Sequence, residues 1–181
     1  MTSLPQSRAA FETDRLIVRD WRDEDAARML DMYSRDDVVR FLGSVPTTMA
    51  SIEQAHERIA RGRRRNAEQS GPCGWWAVEV RDTAQVVGTV ALVTVDGSEE
   101  PGAPVEVAWH LHLDSQGHGY ATEAARGTLD RAHAVGLPEV LALTDEANTA
   151  SQAVCRRLGL ELRGVSAEFY GKPLMVWVSR R

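Results

Sequence analysis

The chain has 181 residues, 43% hydrophobic and 26% charged, with 21 basic residues against 26 acidic ones and a formal net charge of −5. That composition suits one folded domain; it excludes a disordered chain and argues against a nucleic-acid binder, which presents a basic face. No apolar run approaches the ~20 residues of a membrane span, and the opening MTSLPQSRAAFETDR lacks the apolar stretch of a secretory signal, so a cytoplasmic location away from membranes is expected.

In chain order, residues 1–12 read as a flexible N-terminus and 13–181 as a single domain. Arg15-Leu16-Ile17-Val18-Arg19 alternates as a first strand. Asp23 to Tyr33 carries Ala26, Ala27, Leu30 and Tyr33 at helical spacing, with acids in the first turn. Ser51 and Gln54 form a capping-box pattern that opens a second helix toward Arg65. Arg61, Arg63, Arg64 and Arg65 read as its solvated end, where cations suit the helix dipole. Gly71-Pro72 then breaks the chain. Trp75–Val80, Gln85–Val93 and Val105–Leu111 read as strands of an antiparallel meander, joined by Arg81-Asp82-Thr83 and by a turn-rich link over 96–102. Neighbours on a strand face opposite ways, so one of Trp75 and Trp76 belongs in the core and the other in a cleft or on the surface. A helix from about Gly119 to Ala134, a strand Val140–Leu143 and a last helix Asn148–Leu158 follow. Gly159 stops that helix in the position of a left-handed cap. Two strands, near Leu160–Arg163 and Leu174–Val178, finish the chain. The expected fold is α/β (α+β): a mixed, mostly antiparallel sheet flanked by helices. Cys73 and Cys155 stand far apart without a C-x-x-C context and read as reduced thiols.

The segment that carries chemistry is Gln116-Gly117-His118-Gly119-Tyr120-Ala121-Thr122-Glu123-Ala124, directly after a strand and opening a helix. Two glycines leave the backbone unobstructed, and a helix N-terminus adds roughly half a positive charge, which together make a phosphate cradle without Lys or Arg. It is not a dinucleotide fingerprint, because Thr122 holds the third glycine position and the turn follows antiparallel strands. It is not a P-loop, because no Gly-Lys-Ser/Thr follows.

Gln116-x-x-Gly119-x-Ala121 resembles the Q/R-x-x-G-x-G/A pyrophosphate signature of the GNAT superfamily of acyl-CoA N-acyltransferases. Three further stretches resemble its ribosomal-protein-alanine (Rim-type) acetyltransferase branch: Thr13 to Arg19, Val105 to Leu111, and Asn148-x-x-Ser151 followed by Leu158-Gly159-Leu160. The resemblance covers roughly residues 12–178 in the expected order. It implies a GNAT fold whose central strand splays from the next, with pantetheine in the gap and acetyl-CoA as co-substrate. Backbone at Trp109, His110 and Leu111 would pair with pantetheine and polarise the thioester. Gln116, Gly117, His118, Gly119, Tyr120, Ala121 and Thr122 would hold the pyrophosphate, and Asn148 and Ser151 would face the pantetheine arm. The acetyl group would pass directly to an amine through a tetrahedral intermediate, with no acyl-enzyme.

The sequence departs from the family pattern where many members place a Tyr that protonates the leaving thiolate. Here the position holds Cys155, so Cys155 and Ser151 are both candidates, Ser151 being the better match to the branch. Trp109 replaces the usual Tyr, and Leu113 the usual Pro. Glu106 is the candidate general base or, equally, a solvated strand residue. Asn148 suits an N-cap as well as a cofactor contact. His110, His112 and His118 invite a metal, but no third carboxylate or Cys accompanies them, so no metal is expected and His118 is placed on the exposed turn. Tyr170 belongs either to a core edge or to the acceptor cleft.

Three functions follow. The first is an N-acetyltransferase acting on a primary amine, either a protein N-terminus or a small molecule. The others are a non-catalytic acyl-CoA-binding module and a nucleotide-binding protein that uses the glycine turn. The oligomeric state stays open, a dimer included. The first reading needs a base, since at pH 7 a Lys amine of pKa near 10.4 is ~0.04% neutral and an α-amine near 7.8 roughly a tenth neutral.

Overall fold

The computed structural model describes residues 9–43, 45–69, 71–95, 98, 100 and 102–181. Residues 1–8 of the expected flexible N-terminus, and 96, 97, 99 and 101 of the expected turn, lie outside the described residues. Eight strands form one sheet: β1 (Ala9–Glu12), β2 (Leu16–Arg19), β3 (Gly74–Val80), β4 (Val86–Thr94), β5 (Val105–Leu111), β6 (Glu139–Thr144), β7 (Glu161–Ser166) and β8 (Leu174–Arg180). Their order is β1-β2-β3-β4-β5-β6-β8-β7, antiparallel throughout except for the parallel neighbours β5 and β6. The helices are α1 (Ala26–Tyr33), α2 (Asp36–Val39), α3 (Ile52–Glu68), α4 (Tyr120–Ala134) and α5 (Thr149–Leu158). Among the described residues no helix is long and apolar enough to cross a membrane.

Each face of the sheet buries its own apolar layer. On one, Ala124, Ala125, Leu129 and Ala132 of α4 and Cys155 of α5 pack on Val78, Val90, Val107 and Val140. On the other, Met29, Met32 and Tyr33 of α1 and Ala55 and Ile59 of α3 pack on Ala77 and Val86. At roughly 25 cal/mol per Å² of apolar area removed from water, this two-sided burial is the main force holding helices to sheet. Ser51 caps α3 by accepting from Gln54 N at 3.4 Å, while Gln54 Oε1 accepts from the Ala50 N–H rather than from that of Ser51. The helix runs on past Arg65 to Glu68, with Arg61, Arg63, Arg64 and Arg65 exposed.

Two expectations are corrected. Residues 9–12 are not loose: they pair with β2, because Phe11 docks on α4 at Gly127, where a Cβ would come within 2.5 Å of its ring. Trp75 and Trp76 face opposite ways as expected, but neither faces a cleft. Trp75 stacks on Trp21 at 5.6 Å beneath α3, and Trp76 packs into the α4-side layer.

Two features set the width of the central sheet. β4 and β5 run in full register from Gly88↔Leu111 to Thr94↔Val105, whereas β5 and β6 share the single pair Glu106↔Leu141 and part beyond it. At Gly88 a Cβ would stand 2.2 Å from the His110 carbonyl oxygen, so β5 approaches β4 this closely only over glycine.

Candidate active site

The parting of β5 from β6 opens into two connected depressions. A cavity of about 640 Å³ lies between the N-terminal ends of α4 and α5 on one side and α2 with Phe41 and Leu42 on the other. A smaller one of about 70 Å³ occupies the gap itself, between Val107–His110 and Ala142–Asp145. Trp109, His110, Asn148, Ser151, Phe41 and Leu42 line both.

One end of the larger cavity is the turn before α4. Gly117 and Gly119 both have φ 81, a left-handed backbone that side chains disfavour. Among the described residues, the backbone N–H groups of Gly117, His118, Gly119, Tyr120, Ala121 and Thr122 donate to no protein acceptor. Thr122 Oγ1 is buried and also lacks a partner. A helix start always leaves a few N–H groups over, but here the preceding turn adds more, and every one of these residues except Tyr120 lines the cavity. A row of uncharged donors at a helix N-terminus fits a diphosphate.

The structure brings most of the sequence-derived residues together. Trp109, His110, Leu111, Gln116, Gly117, His118, Gly119, Ala121, Thr122, Asn148 and Ser151 all line the larger cavity. Tyr120 does not: its ring stacks on His118 at 5.6 Å and lies under the Arg15 guanidinium at 5.0 Å. Asn148 caps α5, its Oδ1 accepting from Ser151 N at 3.1 Å. The Ser151 hydroxyl makes no hydrogen bond among the described residues.

Cys155 is a correction. It is fully buried in the α4-side layer, away from both depressions, and burial pushes its thiol up to about 12. Its sulfur faces neither depression. The cause is helical phase. Ala150, Ala153, Val154 and Arg157 form the cavity stripe of α5, Ser151 sits at its edge, and Cys155 lies about 40° further round at ~100° per residue.

Glu106 is buried rather than solvated. It sits at the one register pair that ties β5 to β6, and its carboxylate accepts a hydrogen bond from the Tyr170 hydroxyl. Tyr170 has φ 54, a left-handed backbone unusual for a bulky residue. Glu106 lines neither depression itself, but Ala108, next on the same face of the strand, lines the gap.

His110 follows on that face. Its Nδ1 lies 3.0 Å from the Tyr33 hydroxyl, which lies 2.9 Å from Thr89 Oγ1. Burial, reinforced by the Arg58 cation, pushes its pKa down to about 3, so the ring is neutral at pH 7. His112 bonds instead to Asp31 through Nε2 at 2.8 Å, and His118 Nδ1 meets the Gln116 carbonyl at 2.8 Å. Among the described residues no three His, Cys, Asp or Glu side chains are placed to hold a metal.

Sequence reasoning missed the opposite wall. Asp37, Val38, Arg40, Phe41 and Leu42 come from α2 and the segment after it. The only signal was Asp36-Asp37 ahead of Val38-Val39, acids preceding an apolar pair. It also missed Arg157 at the cavity edge, an exposed cation with no carboxylate partner among the described residues.

The Acetyltransferase (GNAT) domain family matches residues 15–161. The chain is 28% identical over 160 residues to the uncharacterized N-acetyltransferase YoaA of Bacillus subtilis (strain 168), covering 88% of this chain and 86% of that protein. Its fold matches the ribosomal-protein-S5-alanine acetyltransferase of Vibrio fischeri with a TM-score of 0.73 at 18% identity, over 94% of this chain and 95% of that one. It matches RimL, a ribosomal L7/L12 alpha-N-protein acetyltransferase solved with coenzyme A, with a TM-score of 0.76 at 14% identity, over 96% and 98% of the two chains. The two structural likenesses are likenesses of fold. The family match spans most of the sequence and takes in the glycine turn, the parted strands and the start of the last helix: the chain belongs to the GNAT acetyltransferase family.

Proposed function

We propose that the protein moves the acetyl group of acetyl-CoA directly to a primary amine, a protein N-terminus or a small molecule, through a tetrahedral intermediate. The row of unpartnered N–H groups from Gly117 to Thr122, at one end of a cavity that leads to the parted strands, carries this reading. Acetyl-CoA supplies the activated acyl group as a thioester. The glycine turn and Thr122 bind the pyrophosphate. The open edge of β5 at Trp109–Leu111 pairs with the pantetheine arm and aims an N–H at the carbonyl oxygen; a donor aimed at a developing oxyanion is worth ~3–4 kcal/mol.

The amine attacks only when neutral. Glu106 takes its proton through an intervening water, since the carboxylate lines neither depression and accepts from the Tyr170 hydroxyl. Ser151, with its hydroxyl unengaged, gives a proton to the departing thiolate. His110 presents a neutral ring to the gap.

The test has two stages. Calorimetry with CoA, NAD and ATP comes first; CoA alone should bind. Thiol release is then followed with a short peptide whose N-terminus is its only free amine. Glu106→Gln should lower kcat by about 10²-fold or more while leaving the CoA dissociation constant nearly unchanged, and the deficit should shrink as pH rises. Wild-type turnover in that variant at neutral pH would remove Glu106 from the mechanism.

A further inference from the structure

The cation that bonds to the glycine turn is not a cavity residue. Arg15, just before β2, reaches the turn from the far side. Its Nη1 donates to the His118 carbonyl at 3.1 Å, and its Nε and Nη2 each stand 2.7 Å from Glu123 Oε2. Glu123, in the first turn of α4, accepts on its other oxygen from Thr13 Oγ1 at 2.6 Å and from the Arg15 backbone N–H at 2.9 Å. Burial opposes the charge of Glu123, but the bonds from Thr13 and Arg15 outweigh it and hold the carboxyl below its ordinary range. The guanidinium carbon also lies over the Tyr120 ring, 5.0 Å from its centroid. All three nitrogens of Arg15 are therefore engaged with protein.

The peptide joining His118 to Gly119 is planar and trans, so its C=O and N–H point in opposite directions. Arg15 fixes the carbonyl on its own side. The Gly119 N–H must then face away from Arg15, and Gly119 lines the cavity while Arg15 does not. Without the guanidinium this peptide, which ends on the conformationally permissive Gly119, is free to flip.

We propose that Arg15 is a positioning residue for the pyrophosphate of the acyl donor. Held by Glu123, which Thr13 in turn anchors, it orients the 118–119 peptide so that the Gly119 N–H meets the phosphate, and it does not itself bind phosphate. This rests on the acetyl-CoA reading above. The role needs the planar fork of Arg, which spans a carboxylate and a carbonyl at once; a Lys ammonium does not.

The experiment titrates CoA, and separately pantetheine, into 15N-labelled wild-type protein and into Arg15→Gln, Arg15→Lys and Glu123→Gln, reading the Gly117 and Gly119 amide signals and the dissociation constants. In the wild type CoA should move both glycine amides. In both Arg15 variants CoA should bind about tenfold more weakly, with the Gly119 response reduced and that of Gly117 kept. Glu123→Gln, which keeps one accepting oxygen, should weaken CoA by about threefold. Pantetheine, which has no pyrophosphate, should bind all four proteins alike. Arg15 variants that fold and bind CoA as the wild type does would overturn the proposal, as would an equal loss of CoA and pantetheine. If the Arg15 variants do not fold, Glu123→Gln decides, and wild-type CoA affinity there overturns it. Wild-type glycine amides that ignore CoA would instead overturn the acetyl-CoA reading, and this proposal with it.

Discussion

Arg15 and Arg19 stand four residues apart, one just before β2 and the other at its end, and each is gripped by carboxylates. Their surroundings make them different devices. Arg19 is 2% exposed, between Asp25 at 2.7 Å and Glu79 at 2.6 Å, both nearly buried. Burial works against its charge, yet the two carboxylates hold the guanidinium above its ordinary pKa. Arg15 is half exposed and pairs with a partly exposed Glu123. The first network ties β2, β3 and the Asp23–Asp25 turn into one unit and has no opening to the cavity. The second touches the cavity's backbone. The same charge pair stabilises the fold in one place and shapes a ligand cradle in the other, and water access decides which. A surface pair is worth up to about 1 kcal/mol, whereas removing one member of a buried set costs about 3–5 kcal/mol.

The largest effect should therefore follow Arg19→Met, which strands Asp25 and Glu79 without a cation. Urea unfolding should show a loss of about 3–5 kcal/mol, and the folded fraction should keep its CoA affinity. A loss below about 1 kcal/mol would erase the distinction between the two arginines.

Buried charge on the α1 side is also handled by neutrality, and acid should expose this. The unfolded chain protonates His110 near pH 6.5, the folded one only near 3. The unfolded state then binds more protons between those values, so this contribution to stability is complete above pH 6.5 and is lost as pH falls toward 3. Urea midpoints at pH 7 and pH 4.5 should fall further in the wild type than in His110→Phe. Parallel losses would mean that His110 is not held neutral.

On the cradle side the expected pattern reverses. Gly119→Val puts a β-branched residue at φ 81 beside the Arg15 guanidinium. CoA affinity should drop by more than about tenfold while the protein still folds, with a backbone strain of about 1–3 kcal/mol. Unchanged affinity in a folded variant would detach the turn from the ligand. The smallest effect is Ser51→Ala, which removes the α3 cap outside the cavity lining. Thermal melts should report about 1 kcal/mol, with CoA binding untouched.

The elements read from the sequence were those whose signal is local. The β3–β5 meander announces itself by alternation and turns, and the ends of α4 and α5 by Gly119, Asn148 and Gly159. β1 was missed because four residues carry no period and their order depends on Phe11 meeting Gly127, 116 positions away. α2 is too short to show helical spacing. The parting of β5 from β6 leaves no trace in either strand taken alone; it followed only from the family resemblance. In the site, the glycine turn was legible because left-handed backbone demands glycine. Cys155 misled because spacing from Gly159 fixes its place along α5 but not which way it points once the helix has docked. Arg15 looked like an ordinary strand residue, since its partner Glu123 lies 108 positions away.

Gly88 never touches the cavity, yet it governs the cavity's breadth from behind. Any side chain there would strike the His110 carbonyl and the Leu111 backbone, which cannot fold aside. β4 is anchored by β3 along its length, while β5 has only the Glu106↔Leu141 pair to brace it on its far side. A methyl at 88 would thus act as a shim, and the displaced strand would travel into the opening. The slot is as wide as one missing carbon atom on the neighbouring strand allows.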